Sequence, residues 1–213
     1  MSSSGRSDER ANLVSELAYV GSVSAVVCGE DAEFEVYLAA GAGQVAPLVT
    51  MSDLVPRRPV GANAEVRDLR FGNDGRRELR GLIDDRLDEG MRTMPADNSS
   101  AEALFRVAAE QTVPGGHVVV VSDMVEQTAT TNLNRPLVDG EGASAAAALS
   151  IPKLGPDITV TIVGVAQIDG GAPPDPIWVR EVRKFAEAVC AASGAKCRIF
   201  STATPNDIFE IKE

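Results

Sequence analysis

The sequence predicts an α/β protein: a three-layer sandwich with helices over both faces of a mostly parallel central sheet. Two short segments carry that expectation first. His117–Asp123 (HVVVVSD) and Ile158–Ala166 (ITVTIVGVA) are continuous β-branched or apolar runs without polar alternation, as parallel strands covered on both faces require. Second, strands of this kind alternate along the chain with segments whose apolar residues recur at helical spacing, the order that builds layered α/β folds. Third, 213 residues with 44% apolar and 24% charged side chains suit a single domain with a sizeable core. The same composition excludes a collagen-like, mucin-like or wholly disordered chain.

From the N-terminus, Leu13, Val14, Leu17, Val20 and Val23 follow the N-cap types Ser7 and Asp8 and precede Gly29, predicting a helix over 10–27. Glu33–Ala40 (EFEVYLAA) alternates Phe34, Val36 and Leu38 against polar neighbours, and Gln44–Thr50 is β-prone. With Gly41-Ala42-Gly43 between them they read as a hairpin. Met51–Asn63 is a loop punctuated by Pro and Gly, and Val66–Phe71 a further strand. Asp74–Met91 places Leu79, Leu82, Ile83, Leu87 and Met91 on one helical face, leaving the near-balanced charges of Arg67–Arg92 on a solvated face. Ser99–Gln111 is a second helix, ended by Pro114-Gly115-Gly116. Between the two apolar strands, Met124–Pro156 is polar and small-residue-rich, a loop with at most a short helix at Ala143–Leu149. A helix over Pro176–Ser193, Gly194 as its C-cap and a strand over Lys196–Phe200 complete the pattern before a short tail.

Twenty basic against 31 acidic residues give a net charge of −11, which disfavours a nucleic-acid partner because phosphate binding rests on Lys and Arg. No apolar run approaches the roughly 20 residues that span a bilayer, and no signal sequence is evident, so the chain as written reads as cytoplasmic. Cys28, Cys190 and Cys197, with His117 alone, offer no zinc spacing; buried free thiols are expected, with a Cys190–Cys197 bridge as the alternative.

Gly41-x-Gly43-x-x-Ala46 formally fits a dinucleotide fingerprint, but Pro47 and the β-prone Leu48-Val49-Thr50 follow where a helix should open. No GxSxG elbow exists, and His117 begins its strand at the end opposite to where ligands bind. Asp123 is different: it ends an apolar strand beside Ser122 and must lie at the carboxyl rim of the sheet. It either caps the following loop or holds a hard cation. Ser2-Ser3-Ser4-Gly5, before the first helix, and Ala96-Asp97-Asn98-Ser99-Ser100, before the helix leading to Asp123, would bring two more oxygen-rich loops to that rim.

This arrangement resembles a von Willebrand factor A-type domain across nearly the whole chain. The resemblance rests on VVVVSDMVEQT (Val118–Thr128), on SSAEALFRVAAE before it, and on ITVTIVGVAQ followed by the helix with Trp178 and Phe185 and then Ser193-Gly194-Ala195. It implies a Rossmann-like sandwich carrying a metal-ion-dependent adhesion site. In that family the site combines D-x-S-x-S, a Thr and a final Asp. Here Ser2 and Ser4 match the serines, Asn98 with Ser99 stands at the Thr position, and Asp123 matches the last acid. The first Asp and the first strand have no counterpart, so the expected domain is incomplete at its N-terminus. On that reading a longer protein supplies them, together with a signal or membrane anchor in the exported case. Otherwise Met1–Arg10 is an ordinary Ser-rich tail.

The function so implied is a non-enzymatic module that binds a protein partner. A weakly held Mg²⁺ at Ser2, Ser4, Asn98, Ser99 and Asp123 would be completed by an acidic group of the partner, or the module would work without metal. The alternative is a small hydrolase-like α/β enzyme with Asp123 as general base or metal ligand, though a nucleophile, a usable His and a phosphate loop are missing. A deep pocket with a perturbed acid would mark the enzyme; a shallow, open rim would mark the binding module. Trp178 is expected to be a packing anchor, and the sequon at Asn98-Ser99-Ser100 is too short a pattern to carry weight.

Overall fold

The computed structural model describes residues 36–40, 44–49, 76–93, 100–167 and 174–202. The helix expected over 10–27, the loop 51–63, the strand 66–71 and the tail beyond 202 lie outside the described residues. The described elements are β1 (Val36–Ala40), β2 (Gln44–Val49), α1 (Arg76–Thr93), α2 (Ala101–Gln111), β3 (His117–Val121), α3 (Glu141–Ala147), β4 (Thr159–Val163), α4 (Pro176–Ser193) and β5 (Lys196–Phe200). They divide between two compact units. The elements from α2 to β5, with the end of β1, form one; α1 and all of β2 beyond Gln44 belong to the other.

β1 and β2 pair as a two-stranded sheet, so a strand follows Gly43 where a dinucleotide site would need a helix. In α1 Ile83 is buried while the charged residues from Arg77 to Arg92 are exposed, the solvated face expected from their pattern.

The larger unit is an α/β arrangement around a parallel sheet ordered β3-β4-β5. Val118 pairs with Val160, and Val160 with Cys197. Along β4, Val160, Thr161 and Ile162 are each 0% exposed. Because neighbouring strand residues point to opposite faces, β4 is covered on both. β3 departs from the expected double burial: Val120 is buried, but Val118 and Val119 are half-buried and Val121 is exposed. The reason is its position. Among the described residues β3 ends the sheet, with β4 on one side only.

α4 supplies the largest apolar stripe of the core, with Trp178, Val182, Phe185, Ala186 and Val189 buried at helical spacing. Full burial of a side chain such as Phe185 contributes roughly 2–3 kcal/mol. Local chemistry sets both ends of this helix. Asp175 Oδ1 accepts from the Ile177 amide at 2.7 Å, Pro176 occupies the first turn, and Gly194 closes the helix in the left-handed region at φ 74°. Trp178 is an anchor as expected: its Nε1–H donates to the Leu133 carbonyl at 2.8 Å from within the core.

That reversal at Gly194 corrects the expectation of free thiols. Cys190, in the last turns of α4, and Cys197, in β5, are joined as a disulfide. The turn brings their Cα atoms to 6.1 Å, inside the range a disulfide spans.

The segment 124–156 holds one short helix, α3, two residues earlier than the expected 143–149. It is pinned to α4 by Glu181, whose Oε2 accepts from the Gly140 and Gly142 amides at 2.9 and 3.1 Å while Oε1 meets Lys184 Nζ at 2.8 Å. Glu181 is 0% exposed. Its pKa is held below the usual carboxylate value by Lys184 first, with burial opposing and the two glycine amides reinforcing. Gly142 is required for this approach, because a Cβ there would stand 1.9 Å from the Glu181 carbonyl oxygen. Among the described residues no helix is long and apolar enough to cross a membrane.

Candidate functional site

The rim predicted from Asp123 forms where β3 and β4 end. The ladder runs one residue past β3, with the Ser122 amide donating to the Val163 carbonyl at 3.0 Å. Two side chains then bend the chain. Ser122 Oγ accepts from the Met124 amide and Asp123 Oδ1 from the Val125 amide, each at 3.0 Å. Met124 sits between them at φ 57°, and Ala166, just past β4, at φ 59°. Left-handed conformations of non-glycine residues cost about 1–2 kcal/mol each. The burial of Met124 at 1% exposure offsets its share, and the Ala166 amide is fixed by the Asp123 carbonyl at 2.9 Å.

A helix start meets this turn. Ser100 caps α2 by accepting from the Ala103 amide at 3.3 Å. The Ala101 amide, one of the four a helix cannot satisfy internally, donates to Glu126 Oε2 at 2.6 Å. Glu126 is 1% exposed, and its Oε1 has no hydrogen-bond partner. Burial pushes its pKa up and the neighbouring Glu102 adds to that, while the Ala101 bond pulls the other way. The Asp123 pKa is also raised, by desolvation of its carboxyl, against bonds from the Val125 amide and its own. Asp123 as a residue nevertheless remains exposed to solvent.

Of the expected ligands, Asp123 stands at the rim; Ser2, Ser4, Asn98 and Ser99 lie outside the described residues. Asp123 does cap its own loop, and it does so while facing solvent. Its donors are oxygens, which suit a hard cation. Among the described residues no group of three or more His, Cys, Asp or Glu is placed to hold a metal. His117 belongs to the opposite end of β3, where its Nε2 lies 2.8 Å from Thr161 Oγ1.

Glu126 is a residue that sequence reasoning alone misses, although it lies within the VVVVSDMVEQT run three positions after Asp123. Glu181 is another. Its signal was a carboxylate inside the apolar stripe of Trp178, Val182 and Phe185, a position that demands a partner. Comparison with protein-family models, curated proteins and solved structures finds no match for this chain.

Proposed function

We propose that this chain is a von Willebrand A-type binding module, a Rossmann-like three-layer sandwich that engages an acidic group of a protein partner at the Asp123 rim. The observation that carries the reading is the position of Asp123. It is an exposed acidic residue at the carboxyl end of a strand in a parallel sheet, with the start of α2 bonded into the same turn. Ligands of open parallel sheets bind at that end. Ser2, Ser4, Asn98, Ser99 and Asp123 would hold a Mg²⁺ ion, whose chemistry supplies an exchangeable coordination position for the partner's carboxylate. The net charge of −11 weighs against nucleic acid as the partner.

One observation favours a second reading, a metal-assisted hydrolase: burial raises the pKa of Asp123, the direction in which a carboxylate general base is tuned. Exposure of the residue favours the binding module.

Thermal unfolding with and without Mn²⁺ tests the proposal. For a dissociation constant of about 1 mM, a roughly 10 mM addition stabilises the native state by about 1.4 kcal/mol. That corresponds to a rise of about 3–6 °C. Asp123→Ala should abolish the rise. A parent protein indifferent to Mn²⁺ and Mg²⁺ would sink the metal-dependent form of the reading.

A further inference from the structure

We propose that Glu126 is the positioning residue of the rim, docking the first turn of α2 beside the exit of β3. The inference rests on the rim reading above, because it concerns how that site is assembled. Among the described residues, the bond from the Ala101 amide to Glu126 Oε2 is the one hydrogen bond tying the start of α2 to the turn after β3. It joins residues 25 positions apart in the chain. Ala101, Phe105, Met124 and Val125 belong to the same core. A carboxylate on a helix N-terminal amide fixes direction as well as distance, and its charge complements the helix dipole.

A carboxylate is a costly way to fill that position. Glu126 is 1% exposed, it shares the corner with Glu102, and Oε1 is left without a donor. An apolar residue would fill the space without that penalty. The orphan oxygen is an acceptor for one hydrogen that the described residues do not supply. A water carried by a rim cation is such a donor, and carboxylates just outside a metal's ligands commonly orient a site this way. In sequence, Asn98 and Ser99 immediately precede Ser100 and the start of α2.

Mn²⁺ titration of the full chain, read by calorimetry, separates the possibilities when combined with hydrogen exchange of the Ala101 amide. Glu126→Ala should weaken Mn²⁺ binding about 10- to 100-fold and speed Ala101 exchange by at least tenfold. Glu126→Gln, which keeps an oxygen for the Ala101 amide but no second acceptor, should retain protection of Ala101 and bind Mn²⁺ more weakly than the parent but more tightly than Glu126→Ala. Ala101→Pro removes the donor instead. The first helical position accepts Pro, and Ser100 at ψ 112° already has the backbone a residue before Pro requires. It should weaken Mn²⁺ as Glu126→Ala does. Parent-like Mn²⁺ affinity in either folded variant overturns the positioning role and leaves the rim reading intact. A parent that binds no Mn²⁺ overturns the metal-dependent rim itself. Loss of folding in both Glu126→Ala and Ala101→Pro makes Glu126 a stability residue only, and the proposal falls.

Discussion

Gly142→Ala should destabilise the larger unit, although alanine is the better helix former. The new Cβ would lie 1.9 Å from the Glu181 carbonyl oxygen, 2.8 Å from its carbonyl carbon and 3.1 Å from the Phe185 amide nitrogen. All three are backbone atoms of α4, so no side chain can swing aside. To restore ordinary contact α3 must retreat by about 1.5 Å, a displacement of the overpacking kind that costs roughly 1–3 kcal/mol. The retreat also stretches the Gly140 and Gly142 bonds to Glu181 beyond hydrogen-bond length and leaves a buried carboxylate to Lys184 alone. The helix-propensity gain of about 1 kcal/mol recovers part of this. With about 1.5–3 kcal/mol added for the weakened bonds to a buried carboxylate, a net loss of about 2 kcal/mol or more should lower the melting temperature by at least about 4 °C. Thermal unfolding by circular dichroism reads it directly. Gly81→Ala is the matched control: it lies in α1 with nothing within 4 Å of the new Cβ, and should be neutral or stabilising by about 0.5–1 kcal/mol. If Gly142→Ala melts with the parent, or above it as Gly81→Ala should, the close α3–α4 approach is not what holds segment 124–156.

Two further outcomes follow from buried chemistry. Because the folded-state pKa of Glu126 is raised above its ordinary 4.5, its contribution to stability is complete below that value and is lost as pH rises through the folded pKa. Glu126→Gln removes that loss, so its melting temperature relative to the parent should climb as pH rises above about 4.5. A difference that stays flat with pH would mean the carboxyl titrates normally. The pair Cys190–Cys197 leaves Cys28 as the remaining cysteine, so chain unfolded without reductant should yield one thiol to Ellman's reagent. Reduction should lower stability by about 2–3 kcal/mol through the unfolded chain's regained freedom. Three titratable thiols before reduction would refute the bridge.

The parts of the fold that were legible in the sequence are those decided by neighbours in the chain. α4 runs from Pro176 to Ser193 as expected because Asp175 and Gly194 are local stop signals and the apolar stripe needs no distant information. β5 matches its expected Lys196–Phe200 for the same reason. β4 was readable as a doubly covered strand, but the same reasoning misjudged β3. A valine run reports how apolar a strand is, while its exposure depends on which strands flank it, and that is a property of strand order. The disulfide was a matter of geometry in the same sense. Spacing in sequence left free thiols and a bridge open; the 6.1 Å approach across the Gly194 turn decided between them.

The candidate site divides along the same line. Asp123 was visible because strand ends are local and the carboxyl rim follows from parallel pairing. Glu126 and Glu181 were not, since what makes a buried carboxylate tolerable is a partner far along the chain. For Glu126 that partner is the Ala101 amide, 25 residues before it; for Glu181 it is the pair of amides at Gly140 and Gly142, 41 and 39 residues away. The two acids then differ in kind. Glu181 spreads its oxygens over two amides and a lysine, and its pKa falls, as a carboxylate fully engaged in holding α3 should. Glu126 holds one amide, keeps one oxygen unmet, and its pKa rises. A carboxylate whose partners are complete is accounted for by the fold; one left half-met beside a solvent-facing acid at a strand exit is accounted for by the fold only in part. That remainder is why function is proposed at the rim and not at the α3–α4 latch.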